Sequence, residues 1–192
     1  MKELIHLQNI TDLHKLFNIG NSYHPLVTVL DFSKVTEQVE QNSKITTDFY
    51  SIMFKNYCKN NIKYGRKAID FQDGNLICIA PNQTIEIDNE VEEKEDKMGW
   101  GLFFHPDLIR ATSLNDNLKN YRFFDYDISE ALHLSDKEKN VLFECIQKIQ
   151  IELQESSETL EQVVVRSSAT ALDRLSPIQT QIITSKELAK AA

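Results

Sequence analysis

Strand-like and helix-like sequence patterns occupy different halves of this chain. Short runs rich in β-branched and aromatic residues lie between Pro25 and His105, whereas apolar residues at helical spacing prevail from Ser129 to Leu175. Chains that alternate the two patterns form wound parallel sheets, while chains that segregate them favour the α+β class. We therefore predict an α+β fold in which a small antiparallel β-barrel is followed by a pair of amphipathic helices.

The first half contains short β-rich runs that are separated by turn residues. Asp73-Gly74 and Pro81-Asn82 mark two of these turns. Short strands at such spacing are typical of a small barrel or sandwich. The predicted strands are 26–30, 49–54, 67–71, 76–80, 84–88 and 100–104.

Alternation along these strands assigns side chains to the barrel interior. Tyr50, Ile52 and Phe54 share one face of their strand, which we expect to point inward. The run 76–80 is apolar at every position and does not alternate. A strand of this kind is central, so we expect one of its faces inside the barrel and the other under the helices.

The helical half begins with a capping signature. The Ser135 hydroxyl can accept from the third amide of a helix, and Glu138 can reach back to the Ser135 amide. This helix is predicted to run to about Gln154, and a second one from about Ser157 to the Ser176-Pro177 stop. The apolar stripe of the first helix is Leu142, Cys145, Ile146, Ile149 and Leu153.

Charge and terminal composition limit the classes of partner. The 29 acidic and 21 basic residues give a net charge of −8, which opposes binding to phosphate backbones. Residues 1–10 carry charges and amides where a secretion signal needs an apolar run, so we expect a cytoplasmic protein. No apolar run approaches the length of about 18 residues that a membrane span needs, and no membrane partner is expected.

Sequence motifs for catalysis are missing. The five histidines form no HxH pair, and Cys58, Cys78 and Cys145 form no CxxC pair, so we predict no metal, no disulfide and reduced thiols. Neither a GxSxG elbow nor a phosphate-binding glycine loop occurs, and we predict no cofactor and no enzyme activity. Triads assembled only in space stay open.

Trp100 is the only tryptophan and lies between Gly99 and Gly101. Because glycines leave room beside a large ring, two roles are open for this side chain. It is either a core aromatic residue or a wall of a ligand pocket.

Several motifs together resemble one family. They are Tyr64-Gly65-Arg66, the stretches 70–76 and 80–83, the run Gly99-Trp100-Gly101-Leu102-Phe103-Phe104-His105-Pro106-Asp107-Leu108-Ile109, and the stretches 121–124 and 130–135. As a set they look like the N-terminal domain of AraC-type transcriptional regulators, closest to the Bacteroidetes-like branch. The resemblance covers about residues 20–155.

The resemblance implies an organisation in three parts. Residues 1–128 would form a cupin-like barrel that senses a small molecule, generally without metal, and 129–177 a helical dimerisation segment. Residues 178–192 are similar to the opening of an incomplete helix-turn-helix. In the family a following domain reads DNA, so we expect this chain, truncated or naturally short, not to bind specific DNA sequences by itself.

We therefore expect the effector-binding and dimerisation portion of an AraC-like regulator, acting as a homodimer. An unknown small molecule would contact Tyr50, Ile52, Trp100, Leu102 and Phe104, although core filling is the alternative for these five. The stripe from Leu142 to Leu153 would form the dimer, or would pack on the barrel instead. Two other hypotheses are a metal-dependent cupin isomerase or dioxygenase, and a module that inhibits a full-length relative through mixed dimers.

Overall fold

The computed structural model describes residues 3–35, 43–55, 61–64, 67–68, 75–88, 99–118, 121, 124, 132–155 and 162–173. These residues form an α+β fold, which confirms the predicted class. Their strands are arranged in two five-stranded sheets rather than in one closed barrel, an arrangement compatible with a cupin-like sandwich.

The elements follow one another in this order. The first part contains β1 (Glu3–Leu7), α1 (Ile10–Leu16), β2 (Val27–Asp31), β3 (Ser43–Thr47), β4 (Tyr50–Lys55), β5 (Asn61–Tyr64), β6 (Lys67–Ala68), β7 (Asn75–Ile79), β8 (Thr84–Asp88) and β9 (Gly99–Phe104). The second part contains α2 (Pro106–Ile109), α3 (Ser113–Leu118), β10 (Leu132–His133), α4 (Asp136–Glu155) and α5 (residues 162–173).

Each sheet has its own strand order. Sheet I has the order β1-β3-β8-β5-β6, and sheet II has the order β10-β7-β4-β9-β2. The β1–β3 pair is parallel, and the other described pairs are antiparallel. Most consecutive strands fall in different sheets, and β4 and β9 are neighbours in sheet II although they are distant in sequence.

Apolar side chains form two cores, one on each face of sheet II. The core between the two sheets, the intersheet core, contains Leu7, Ile10, Leu13, Leu30, Phe32, Ile45, Phe49, Met53, Ile77, Ile79, Ile87 and Phe103. The helix-side core joins the opposite face of sheet II to α2, α3, α4 and α5. Sheet II is therefore the central layer, with sheet I on one side and the helices on the other.

Strand β7 contributes to both cores, as its unbroken apolar run predicts. Leu76 and Cys78 belong to the helix-side core, whereas Ile77 and Ile79 belong to the intersheet core. Burial also raises the pKa of the Cys78 thiol far above its ordinary value. The predicted central position of this strand is confirmed.

The predicted inward face of β4 is wrong. Ile52 and the half-buried Tyr50 and Phe54 pack in the helix-side core, while Ser51 and Met53 line the space between the sheets. Both faces of β4 are covered, so a period of two residues shows which side chains share a face but not which core that face meets.

Helix α4 begins and ends close to its predicted limits. The Glu138 carboxylate accepts from the Ser135 amide at 2.7 Å, and the Glu138 amide donates to the Ser135 hydroxyl at 3.4 Å. The helix ends at Glu155, next to the predicted Gln154. Of the predicted second helix, residues 162–173 are helical, and its two ends lie outside the described residues.

A side-chain hydrogen bond connects Tyr121 to α5. The Tyr121 hydroxyl donates to the carboxylate of Asp173 in α5, and burial together with this carboxylate raises the pKa of Tyr121 well above its ordinary value.

Within the parts of the chain that the structure describes, no helix is long and apolar enough to cross a lipid bilayer. Cys58, residues 69–71 of a predicted strand and the tail 178–192 lie outside the described residues.

Candidate functional site

A row of directly paired residues crosses sheet II on its helix-side face. Asp31 of β2 lies opposite Trp100 of β9, Trp100 lies opposite Phe54 of β4, and Phe54 lies opposite Leu76 of β7. Residues that are directly opposite each other project from the same face of a sheet. The strand order thus brings an acid and two aromatic residues together in one line.

The two aromatic rings of this row stack on each other. The ring centroids of Phe54 and Trp100 are 6.0 Å apart with 21° between the ring planes. Both side chains are only partly buried, although they pack against the helix-side core. The pair therefore forms a largely apolar patch that is still open on one side.

Helix α4 passes beside this patch and forms a wall. Lys139, Leu142, Phe143, Ile146 and Gln150 line the wall, since three- and four-residue steps place them on one side of the helix. Together with Asp31, Phe54 and Trp100 they enclose a volume of about 530 Å³, here called the helix–sheet groove. Pockets for small molecules usually measure about 300–1,000 Å³.

Charged side chains are part of the groove lining. The Lys34 ammonium lies 3.1 Å from the Asp31 carboxylate, which also accepts from the Ser33 amide at 3.0 Å and the Ser33 hydroxyl at 2.6 Å. Burial by itself would raise the pKa of Asp31, but the hydrogen bonds from Ser33 and Lys34 outweigh it and hold that pKa below its usual value. Lys139 lies 3.3 Å from the Asp136 carboxylate, one helical turn earlier.

A second cavity lies between the two sheets, where the predicted barrel interior would be. It measures about 80 Å³ and is lined mainly by apolar side chains, including Leu13, Phe17, Phe49 and Phe103. At about 30 Å³ per water molecule, such a volume is far below that of a site for a metabolite. The helix–sheet groove is therefore the better candidate site.

The five predicted ligand contacts share one face of sheet II, yet only Trp100 among them lines the groove. Ile52, Leu102 and Phe104 are at most 1% exposed and fill the helix-side core. Tyr50 stacks on Phe104 with a centroid distance of 5.1 Å. Of the two roles left open for Trp100, the wall of a groove fits its position, whereas core filling fits the other residues.

The predicted dimerisation stripe is buried inside the chain. Packing against sheet II, the alternative left open by the sequence, is the arrangement observed. Leu142 and Ile146 also line the groove. The stripe residues Leu142, Cys145, Ile146, Ile149 and Leu153 are at most 6% exposed and belong to the helix-side core.

Several groove residues did not stand out in the sequence. Asp31 is the last residue of β2, Lys34 lies in the turn that follows it, and Lys139, Phe143 and Gln150 are single residues beside the apolar stripe. The signal that could have pointed to the wall is Phe143, a large apolar residue next to the stripe and 50% exposed.

His14 and His105 stabilise local structure through hydrogen bonds. The buried His14 donates from Nδ1 to the Gly20 carbonyl at 3.0 Å, and its Nε2 is 2.9 Å from the Thr28 hydroxyl. His105 Nδ1 accepts from the Asp107 amide at the start of α2, at 3.2 Å. Among the residues that the structure describes, no group of His, Cys, Asp and Glu side chains is arranged to hold a metal ion.

Comparisons with known proteins give a distant structural likeness to a solved structure. No protein-family model and no curated protein matches the sequence. The fold is similar to the crystal structure of the AraC-like transcriptional activator CuxR, with a TM-score of 0.37 and 14% identity over 68% of this chain. The aligned region covers 42% of the activator, so this chain spans less than half of its length.

Proposed function

We propose that this chain is the small-molecule-sensing part of an AraC-like transcription regulator and that its effector binds in the helix–sheet groove. The groove itself is the observation that carries the proposal, because its floor is the central sheet and its wall is the long helix α4. The family-like motifs around Trp100 support the regulatory class. No catalysis is part of the proposal.

Binding in the groove would act on the position of α4. Leu142 and Ile146 line the groove and also pack in the helix-side core, where they are 1% and 2% exposed. A bound molecule that contacts both α4 and the sheet stabilises one placement of the helix over others. This difference in affinity between placements is what a sensor needs in order to report occupancy.

DNA recognition belongs to a separate reader domain in this proposal. The net charge of −8 opposes direct contact with phosphates, whereas a domain that follows α4 and α5 would receive their movement. The regulator would act in the cytoplasm as a homodimer. Because the stripe of α4 is buried, the dimer interface would use other surfaces.

The sensing function can be tested with Trp100 as a unique reporter. A single tryptophan gives a single indole N–H signal in a ¹H–¹⁵N spectrum, and this indole lines the groove. Titration with a library of metabolites should shift that signal for at least one compound. Hydrogen exchange of α4 amides should slow in the same complex, since a ligand that bridges sheet and helix holds α4 in place.

A matched pair of variants locates the binding site. Gln150→Phe narrows the groove and should abolish the shift, whereas Gln147→Phe adds the same ring on the exposed side of α4 and should leave it unchanged. A library without a binder, or a binder that both variants retain, would overturn the proposal. Stoichiometric iron, zinc or manganese in the purified protein would instead favour the metal-dependent enzyme.

A further inference from the structure

We propose that the helix–sheet groove recognises an aromatic carboxylate, with its ring against Phe54 and Trp100 and its carboxylate at Lys139. This inference rests on the proposed sensing function and adds the chemical class of the effector. Three properties of the groove support it: its aromatic floor, its apolar wall and the sign of its charged groups.

The floor and the wall together fit a flat ring. Phe54 and Trp100 present stacked aromatic surface from the sheet, and Leu142, Phe143 and Ile146 present apolar side chains from α4. A planar ring between them would contact apolar atoms on both sides, and offset aromatic pairs add about 0.5–1.5 kcal/mol beyond burial. A sugar in the same position would turn hydroxyl groups toward the Phe54 and Trp100 rings and would lose hydrogen bonds to water there.

Among the residues that the structure describes, the ionisable groups that line the groove carry a positive balance. They are Asp31, Lys34 and Lys139, which give two positive charges against one negative charge in a chain whose net charge is −8. The oxygens of Asp31 already accept from Ser33 and Lys34. A cationic ligand would therefore meet two ammonium groups and a carboxylate that is already engaged.

Lys139 is the lysine best placed to receive a carboxylate. Its side chain is 32% exposed, compared with 81% for Lys34, so Lys139 is the more buried of the two. Its partner Asp136 is 95% exposed, and ion pairs at such surfaces contribute little. A ligand carboxylate in the groove can therefore share or replace that pair. The Gln150 amide on the same wall offers a further hydrogen-bond donor.

The experiment compares four probes that differ in charge or in flatness. They are 2-naphthoate, the neutral naphthalene-2-methanol, the cationic 2-naphthylmethylamine and the non-planar cyclohexanecarboxylate. Binding is measured by calorimetry and by the indole signal of Trp100. We expect 2-naphthoate to bind roughly tenfold more tightly than each of the other three, which is the scale of one charge-assisted hydrogen bond or one stacked ring.

Two lysine variants separate local recognition from overall charge. Lys139→Met keeps the apolar stem and should reduce the preference for 2-naphthoate over the alcohol from roughly tenfold to about twofold. Lys148→Met removes the same charge from an exposed position of α4 outside the groove and should preserve the preference. Raising the salt concentration should weaken the binding of 2-naphthoate more than the binding of the alcohol.

Each other outcome overturns a specific part of the inference. Equal affinities for the acid and the alcohol, or equal effects of the two lysine variants, would show that the groove does not recognise a carboxylate. Equal affinities for the naphthyl and cyclohexyl acids would show that the groove does not recognise a flat aromatic ring. If all four probes fail while a different metabolite shifts Trp100 in a Gln150-dependent way, the ligand class is wrong and the sensing function stands.

Discussion

The ring of Phe103 fills the space in which a side chain at Gly101 would lie. A Cβ atom at Gly101 would be 2.5 Å from Cε2 of Phe103 and 2.9 Å from Cζ of Phe32. The Phe103 ring also meets the rings of Phe32 and Phe49 edge to face, so it has little room to move. We predict that Gly101→Ala lowers the free energy of unfolding by about 1–3 kcal/mol in urea denaturation.

A double-mutant cycle tests the cause of that loss. Phe103→Leu removes the ring edge that a Cβ at position 101 would meet, so the pair should lose less stability together than the sum of the single losses. Strict additivity of Gly101→Ala and Phe103→Leu would show that crowding by this ring is not the reason.

Ile149 is fully buried at 0% exposure in the helix-side core. We predict that Ile149→Ala costs about 3 kcal/mol through lost contacts and a cavity, and that Ile151→Ala, at a residue 53% exposed, costs far less. The loss for Ile149→Ala should be the same at low and high protein concentration in urea unfolding. A loss that appears only at high concentration would place Ile149 at a subunit interface instead.

The buried imidazole of His14 makes stability depend on pH. Burial lowers the pKa of His14, and the hydrogen bond to the Gly20 carbonyl offsets only part of this effect. As the pH falls below about 6.5, the His14 imidazole is therefore protonated in the unfolded chain before it is protonated in the folded chain. The free energy of unfolding decreases as the pH falls further. Urea unfolding measured from about pH 8 down to about pH 5 should show a smaller decrease in the free energy of unfolding for His14→Gln than for the wild type. Parallel curves would contradict this prediction.

The buried thiols should resist modification in the folded protein. Cys78 and Cys145 are 8% and 6% exposed, and burial raises the pKa of the Cys78 thiol, so little reactive thiolate forms. In a Cys58→Ser background, a disulfide reagent at mildly alkaline pH should label neither thiol until denaturant is added. Rapid labelling of the native protein at Cys78 would show that β7 is not covered by the helices.

The elements predicted correctly are those whose cause lies within the local sequence. Ser135 and Glu138 form the start of α4 by themselves, and the apolar run of β7 requires cover on both faces wherever the strand lies. Neither prediction depends on which strands are neighbours.

Strand β3, which is absent from the predicted strands, carries small polar residues on its buried face. The buried residues of β3 are Ser43, Ile45 and Thr47, so only one large apolar residue marks that strand. Pairing with β1 on one side and β8 on the other stabilises it through backbone hydrogen bonds, which do not depend on side-chain type.

The groove could not be predicted because it depends on strand order and on which face meets the helices. Asp31, Phe54 and Trp100 come from separate strands and become neighbours only through the β2–β9 and β4–β9 pairings. The sequence does single out Trp100 as a possible pocket wall, since flanking glycines are a local feature. Lys139, which lines the same groove, is one of many lysines in the sequence until α4 is placed on the sheet.

The position of sheet II between two cores determines how the molecule comes apart. Ile52 and Met53 are consecutive residues of β4, yet they belong to different cores. Neither core can therefore unfold without exposing a strand against which the other core packs. We therefore expect the two cores to melt in one transition rather than in sequence. The amides at the centre of β4 should then exchange with solvent only when the whole domain opens.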